Sequence, residues 1–265
     1  MTQAIDRGRK SNMTPNEAAV KLIEVTPVRP KPCVYLSGGI DSSIILHCLR
    51  TRYNGPIQTY TAQFGDDRTD KKELKRAQEI AKLYGAAWMA VQVGPIVDRF
   101  EELLAHFEHA RYNLWPIYLA EQAQRDGCKS AYIGEGGDEV FGYRDRTYEA
   151  GWAGHKQWVV PTYQTLNSLC GLETVMPFTL LPHEEMRDLW HPDKATLREA
   201  FRDVIPRWIL KAPSKPPRFT QYQRTWAKDF PEWPLKSGES VKLNLQKLAQ
   251  DAWLKARGFV VKEAG

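Results

Sequence analysis

The amino-acid sequence predicts an α/β fold: a parallel sheet with helices on both faces, continued by a mainly helical C-terminal part. Three observations predict it. Short apolar runs at 33–36, 57–64, 88–93 and 130–134 read as strands and alternate with segments of helical periodicity. Glycine and proline punctuate the joints, at Gly55-Pro56, Gly85 and Gly127. Two glycine-rich loops directly follow predicted strands, at the carboxyl edge where parallel sheets place their ligands. Strand–helix alternation favours a parallel sheet because each return to a parallel neighbour requires a crossover, usually a helix.

Residues 1–31 are polar and are expected to form an N-terminal extension. Within it, Thr14-Pro15-Asn16-Glu17 can start a short helix carrying Ala18, Ala19, Leu22 and Ile23. Pro27, Pro30 and Pro32 then mark an extended linker, which places the start of the globular core near Cys33. Cys33-Val34-Tyr35-Leu36 is the first strand. Ile40 to Tyr53 follows as a helix with Ile44, Ile45, Cys48 and Leu49 on one face. Ile57 to Phe64 is the second strand. Asp70 with Glu73 forms a capping box ahead of a buried stripe of Leu74, Ala77, Ala81 and Tyr84, and Gly85 ends that helix. Trp88 to Val93 is the third strand. Pro95 suits a first helical position before Ile96, Val97, Phe100, Leu103, Leu104 and Phe107. Trp115 to Asp126 is a further helix, and Ser130 to Gly134 the fourth strand. Residues 32–220 are thus expected to form the main domain. Residues 221–265 form a helical cap, with Trp226, Phe230, Trp233 and Trp253 packing it over the sheet.

Composition excludes several classes. With 265 residues and 42% hydrophobic content the chain can bury a sizeable core. No apolar run is long enough to span a bilayer, and Met1 to Arg9 lacks a secretory apolar stretch, so a cytoplasmic location without membrane partners is expected. The four cysteines form no CxxC pair, and Cys33 and Cys48 read as buried reduced thiols. From Pro206 onward there are 12 basic and 5 acidic residues, which suits an anionic ligand or merely a solvated basic face.

Chemistry concentrates in the first loop, Ser37-Gly38-Gly39-Ile40-Asp41-Ser42-Ser43. Glycines let backbone N–H groups turn around a phosphate, a helix N-terminus follows, and Ser37, Ser42 and Ser43 can add hydroxyl donors. A bare carboxylate at Asp41 would repel an anion, and a Mg²⁺ bound by Asp41 resolves the conflict. The loop lacks the lysine of a Walker A motif.

This segment resembles the SGGxDS loop of the ATP pyrophosphatase superfamily, which cleaves ATP to AMP and pyrophosphate. The second loop, Gly134-Glu135-Gly136-Gly137-Asp138-Glu139-Val140-Phe141-Gly142-Tyr143, resembles the GEGxDExFGGY signature of asparagine synthetases and their relatives. Further stretches are similar to that family: Glu73-x-x-x-Ala77-x-x-x-Ala81, Tyr112 to Tyr118, Gly171 to Phe178, and Lys194-x-x-Leu197-Arg198 followed by Ile209 to Lys215. The resemblance covers roughly residues 30 to 220 and implies an adenine-nucleotide alpha-hydrolase-like fold. It implies an ATP and pyrophosphate site at Leu36, Ser37, Gly38, Gly39, Asp41, Ser42, Ser43 and Gly134. It further implies Mg²⁺ on Asp41 and Asp138, with Glu135 and Lys215 as catalytic residues and Lys211 as a rival to Lys215.

The departures fall on the substrate side. The second glycine of FGGY is missing, Val175 replaces a common arginine, and Thr179-Leu180 follow Pro177-Phe178 where Leu-Asp is usual. The resemblance also implies that the glutaminase of full-length asparagine synthetases, about two hundred residues and comparable to a whole domain, is not part of this chain. Residue 2 is threonine where that enzyme carries its nucleophilic cysteine. The expected activity is therefore that of an ATP-dependent amide-forming ligase acting on a small carboxylate, with aspartate as first choice. Its nitrogen would come from ammonia, another amine or a separate glutaminase subunit. The rivals are a tRNA-modifying ATP pyrophosphatase using the basic C-terminal part, against which the second loop argues, and a non-catalytic nucleotide-binding regulator.

Overall fold

The computed structural model describes residues 13–65, 68–142, 148–212, 238–259 and 261. Five strands form one sheet: β1 (Pro32–Tyr35), β2 (Gln58–Gln63), β3 (Ala87–Gln92), β4 (Ser130–Ile133) and β5 (Glu173–Val175). Their spatial order is β3-β2-β1-β4-β5, and every pairing is parallel. The chain steps outward from β1 to β2 and β3, then returns to the other side of β1 with β4. The direction of winding reverses between β1 and β4, the place where open parallel sheets open a crevice beyond their carboxyl ends.

Strand alternation splits the core in two. Val34, Leu36 and Tyr132 point into one cluster with helices α1 (Pro15–Val25), α2 (Ile40–Arg52) and α3 (Arg68–Leu83). Cys33, Tyr35, Ala131 and Ile133 point into the opposite cluster with α4 (Phe100–Leu104), α5 (Ile117–Arg125) and α8 (Val160–Leu169). Every residue of β1 and β4 is buried, as two covered faces require. The expected parallel sheet with helices on both faces is the one observed.

Four expectations about individual elements need correction. Helix α1 begins with the expected capping box: the Glu17 N–H donates to Thr14 Oγ1 at 3.3 Å and the Thr14 N–H to Glu17 Oε2 at 2.6 Å. Its Ala18, Ala19 and Leu22 lie in the same cluster as α2, so the core starts at α1 and not near Cys33. The proline segment turns the helix back onto the sheet, where the Tyr132 hydroxyl donates to the Pro27 carbonyl at 2.5 Å. Helix α3 begins at Arg68, two residues before Asp70, so Asp70 is not its cap. The segment after Pro95 opens as a 3-10 turn, Val97–Arg99, and becomes α-helical only from Phe100. The fifth strand was not expected. It has three residues and lies at an edge, too short for any period to show.

Beyond β4 come α6 (Gly137–Phe141), α7 (Tyr148–Gly154), a π-helical turn at His155–Val159, and α8. After β5 follow α9 (His183–Met186), α10 (Ala195–Ala200) and α11 (Arg207–Leu210). A last helix, α12 (Gly238–Lys255), buries Leu245, Ala249 and Ala252 with the α4 cluster, and Trp253 Nε1 donates to the Phe107 carbonyl at 3.0 Å. Trp226, Phe230 and Trp233, expected in the same cap, lie outside the described residues. All four cysteines are free and buried. No helix among the described residues is long and apolar enough to cross a membrane.

Candidate active site

The first loop leaves β1 and enters α2. The Leu36 N–H donates to the Tyr60 carbonyl at 2.8 Å and its own carbonyl accepts from Thr61 Oγ1 at 2.6 Å, so the chain stays in the sheet until the loop starts. Gly38 then turns with φ +74°, against the backbone of α3: a Cβ there would lie 3.2 Å from the Ala77 nitrogen and 3.3 Å from the Glu73 carbonyl oxygen. Only glycine combines that dihedral with that approach. The Ser37 N–H donates to Ser42 Oγ at 3.2 Å, and the Gly39 N–H donates to Ser37 Oγ at 3.2 Å. Ser43 Oγ donates to the Gly39 carbonyl at 2.6 Å and is fully buried. Of the three serines, Ser37 is exposed, while Ser42 and Ser43 face inward and brace the turn.

The second loop leaves β4, next to β1, and the two loops interlock. A Cβ on Gly134 would lie 2.7 Å from the Ser42 backbone nitrogen, and one on Gly137 would lie 2.6 Å from Asp41 Oδ1. Each glycine is thus the space the other loop occupies. Gly136 turns with φ +96° beside Phe178 and Thr179, and Phe178 meets Phe141 edge-on at 6.1 Å. The Gly171–Phe178 stretch therefore backs the second loop. Val175 pairs with Tyr132 in register and is buried, which accounts for an apolar side chain at that position.

Asp41 and Asp138 converge on Lys194, which in the sequence stands out only as part of a stretch similar to the family. Lys194 Nζ bonds Asp41 Oδ2 at 2.6 Å and also pairs with Asp138 Oδ1. The lysine side chain is 3% exposed, against 25% and 41% for the two aspartates. Burial alone would lower its pKa, but the carboxylates of Asp41 and Asp138 more than offset this and hold it above the usual lysine value, so it is an ammonium ion. Burial raises the pKa of Asp41, and Lys194 opposes that shift. Lys194 could not be singled out from the sequence, because its partners lie 153 and 56 positions away and no local spacing links them.

Glu135 sits beside this pair. Burial, then the charges of Asp138 and Asp41, push its carboxyl up to about 7, while Tyr163 and Lys194 pull the other way. The Tyr163 hydroxyl donates to Glu135 Oε1 at 3.3 Å. Tyr163, carried by α8, was likewise invisible in the sequence. Lys215 lies outside the described residues. Lys211 is exposed at the C-terminal end of α11.

Asp41 and Asp138 are the residues that could hold a divalent cation. Among the described residues Asp41 Oδ1 is a buried oxygen with no hydrogen-bond partner, and Asp138 brings a second carboxylate to the same point. Two carboxylates completed by phosphate oxygens would be a set suited to Mg²⁺.

A parallel sheet whose two glycine-rich loops meet at its switch point, with Asp41 and Asp138 paired on Lys194, defines an α/β domain with a candidate ligand site between β1 and β4. The family model described as asparagine synthase matches residues 28–177, more than half of the chain, and the chain belongs to that family. It is 28% identical over 125 residues to argininosuccinate synthase from Jannaschia sp. (strain CCS1), covering 39% of this chain and 28% of that protein. It is 32% identical over 112 residues to a putative asparagine synthetase [glutamine-hydrolyzing] from Mycobacterium tuberculosis, covering 41% of this chain and 17% of that one. The matches thus span less than a third of the length of these relatives. Among solved structures, the U34-tRNA thiolase NcsA from Methanococcus maripaludis with its [4Fe-4S] cluster aligns at a TM-score of 0.45 and 14% identity, over 94% of this chain and 90% of that one.

Proposed function

We propose that this protein uses ATP to adenylate a carboxylate, with L-aspartate as first candidate, and then transfers ammonia or an amine to it. One observation carries the reading: Asp41 and Asp138, from separate loops, converge on the Lys194 ammonium at the sheet's switch point. Membership of the asparagine synthase family supports the same reaction class.

In this reading a carboxylate oxygen attacks the α-phosphorus of ATP. The new O–P bond forms as the bond to the β-phosphate bridge breaks, and pyrophosphate leaves. The N–H groups of the first loop and Ser37 hold that leaving group. Asp41 and Asp138 would hold Mg²⁺, which would neutralise charge on the leaving pyrophosphate. The amine then attacks the acyl carbon, a C–N bond forms, and AMP departs. Glu135 takes the proton released by the amine, a role that a carboxyl titrating near neutrality suits. A lysine, Lys215 or Lys211, or Lys194 once free of its partners, balances charge on the tetrahedral centre.

The test is pyrophosphate release from ATP–Mg²⁺ with L-aspartate, with and without ammonium, and mass analysis of the product. Asparagine with AMP is the expected result. Pyrophosphate release that depends on another carboxylate redirects the substrate assignment, and none with any carboxylate or amine refutes the ligase reading.

A further inference from the structure

Lys194 stands where a cation is wanted for another purpose. It bridges the two carboxylates that the proposed function assigns to the metal, and it is the more deeply buried member of the trio. We propose that Lys194 is an internal counter-ion that keeps free divalent metal out of the Asp41–Asp138 pair, so that metal enters only together with nucleotide. The inference rests on the reading that this pair is the metal site.

The lysine is held there by the fold, not left to drift in. Its backbone is left-handed, φ +53°, a conformation that a non-glycine residue keeps only where its surroundings enforce it. The Lys194 N–H donates to the His191 carbonyl at 2.9 Å, and the His191 N–H donates to the Phe141 carbonyl at 3.0 Å. Phe141 ends α6, the helix that begins with Gly137 and Asp138. Gly142, with φ +109°, passes so close that a Cβ would lie 1.9 Å from the His191 oxygen. The turn delivering the ammonium is therefore stitched to the helix bearing one of its two partners.

Two ionised carboxylates present −2 to an incoming cation, whereas the trio presents −1, and the attraction between charges falls in proportion. Mg²⁺ also needs six oxygen ligands and is usually held by one or two carboxylates together with substrate phosphates. No group of three or more acidic, histidine or cysteine side chains placed to hold a metal occurs among the described residues. A nucleotide brings the missing oxygens and, at the same time, an anionic acceptor for the displaced ammonium. Metal and nucleotide thereby become mutually dependent ligands.

The experiment measures Mn²⁺ binding by electron paramagnetic resonance, with no nucleotide, on the wild-type chain, Lys194→Met, Lys194→Gln and the double variant Lys194→Met/Asp41→Asn. Thermal melts with and without Mn²⁺ accompany it. The wild type is expected to bind weakly and to gain affinity when a non-hydrolysable ATP analogue is added. Lys194→Met, or Lys194→Gln if the methionine variant does not fold, is expected to bind nucleotide-free Mn²⁺ on the order of tenfold more tightly. Its lowered melting temperature should rise with Mn²⁺ while that of the wild type does not. Asp41→Asn should cancel the gain. Unchanged or weaker Mn²⁺ binding by both single variants overturns the proposal, as does a gain that survives Asp41→Asn. Because no turnover is read, a protein that releases no pyrophosphate would refute the ligase reading and leave this result standing.

Discussion

Gly134 and Ser42 lie so close that no side chain fits between them: a Cβ on Gly134 would sit 2.7 Å from the Ser42 nitrogen. These residues belong to loops more than ninety positions apart, carried by neighbouring strands β1 and β4. The contact fixes the relative placement of Asp41 and Asp138, on which any shared cation depends.

Asp41→Asn keeps the side-chain volume and removes the charge. Pyrophosphate release should fall by about 100-fold or more, the scale of losing one electrostatic group aimed at a charged transition state. The melting transition should persist. Unchanged release would remove Asp41 from the mechanism.

Gly142→Ala tests the stitching of α6 to the Lys194 turn. The substitution forces a Cβ into the His191 carbonyl at a positive φ. A loss of at least about 2–3 kcal/mol is expected in denaturant unfolding. Alanine at Gly85, also at positive φ but with no described atom within 4 Å of a Cβ, should cost less and serves as the control.

The Glu135 carboxyl, raised to about 7, should leave two signatures. The folded protein binds this proton more tightly than the unfolded chain, so its contribution to stability is present below the ordinary carboxyl value of 4.5 and is lost as pH rises from there to about 7. In the metal-free protein Glu135→Gln should abolish that slope. The amine-transfer rate, needing the ionised form, should rise with pH through the same range. Tyr163→Phe removes a hydrogen bond that lowers the pKa and should move the rise to higher pH. A profile unaffected by either substitution would exclude Glu135 as the base.

Tyr35→Phe probes the opposite face of β1. The Tyr35 hydroxyl donates to Asn167 Oδ1 at 2.7 Å, and both residues are buried. Removing it should destabilise the protein by about 1–2 kcal/mol without altering metal binding, since it leaves an acceptor unpaired away from the loops. Calorimetry of the variant checks this.

Local signals in the sequence determined a good part of this protein. Alternating strands and helices, the capping box at Thr14 and Glu17, and the two glycine-rich loops were legible because each depends on residues within a few positions of one another. The family resemblance of those loops was legible for the same reason. Tertiary structure alone decided the rest. It placed α1 in the core, added β5 as a three-residue edge strand, and turned Ser42 and Ser43 inward. It also brought Lys194 onto Asp41 and Asp138, and Tyr163 onto Glu135. Such pairings join side chains across dozens of residues, and only the packing of one element on another sets their distance, burial and charge.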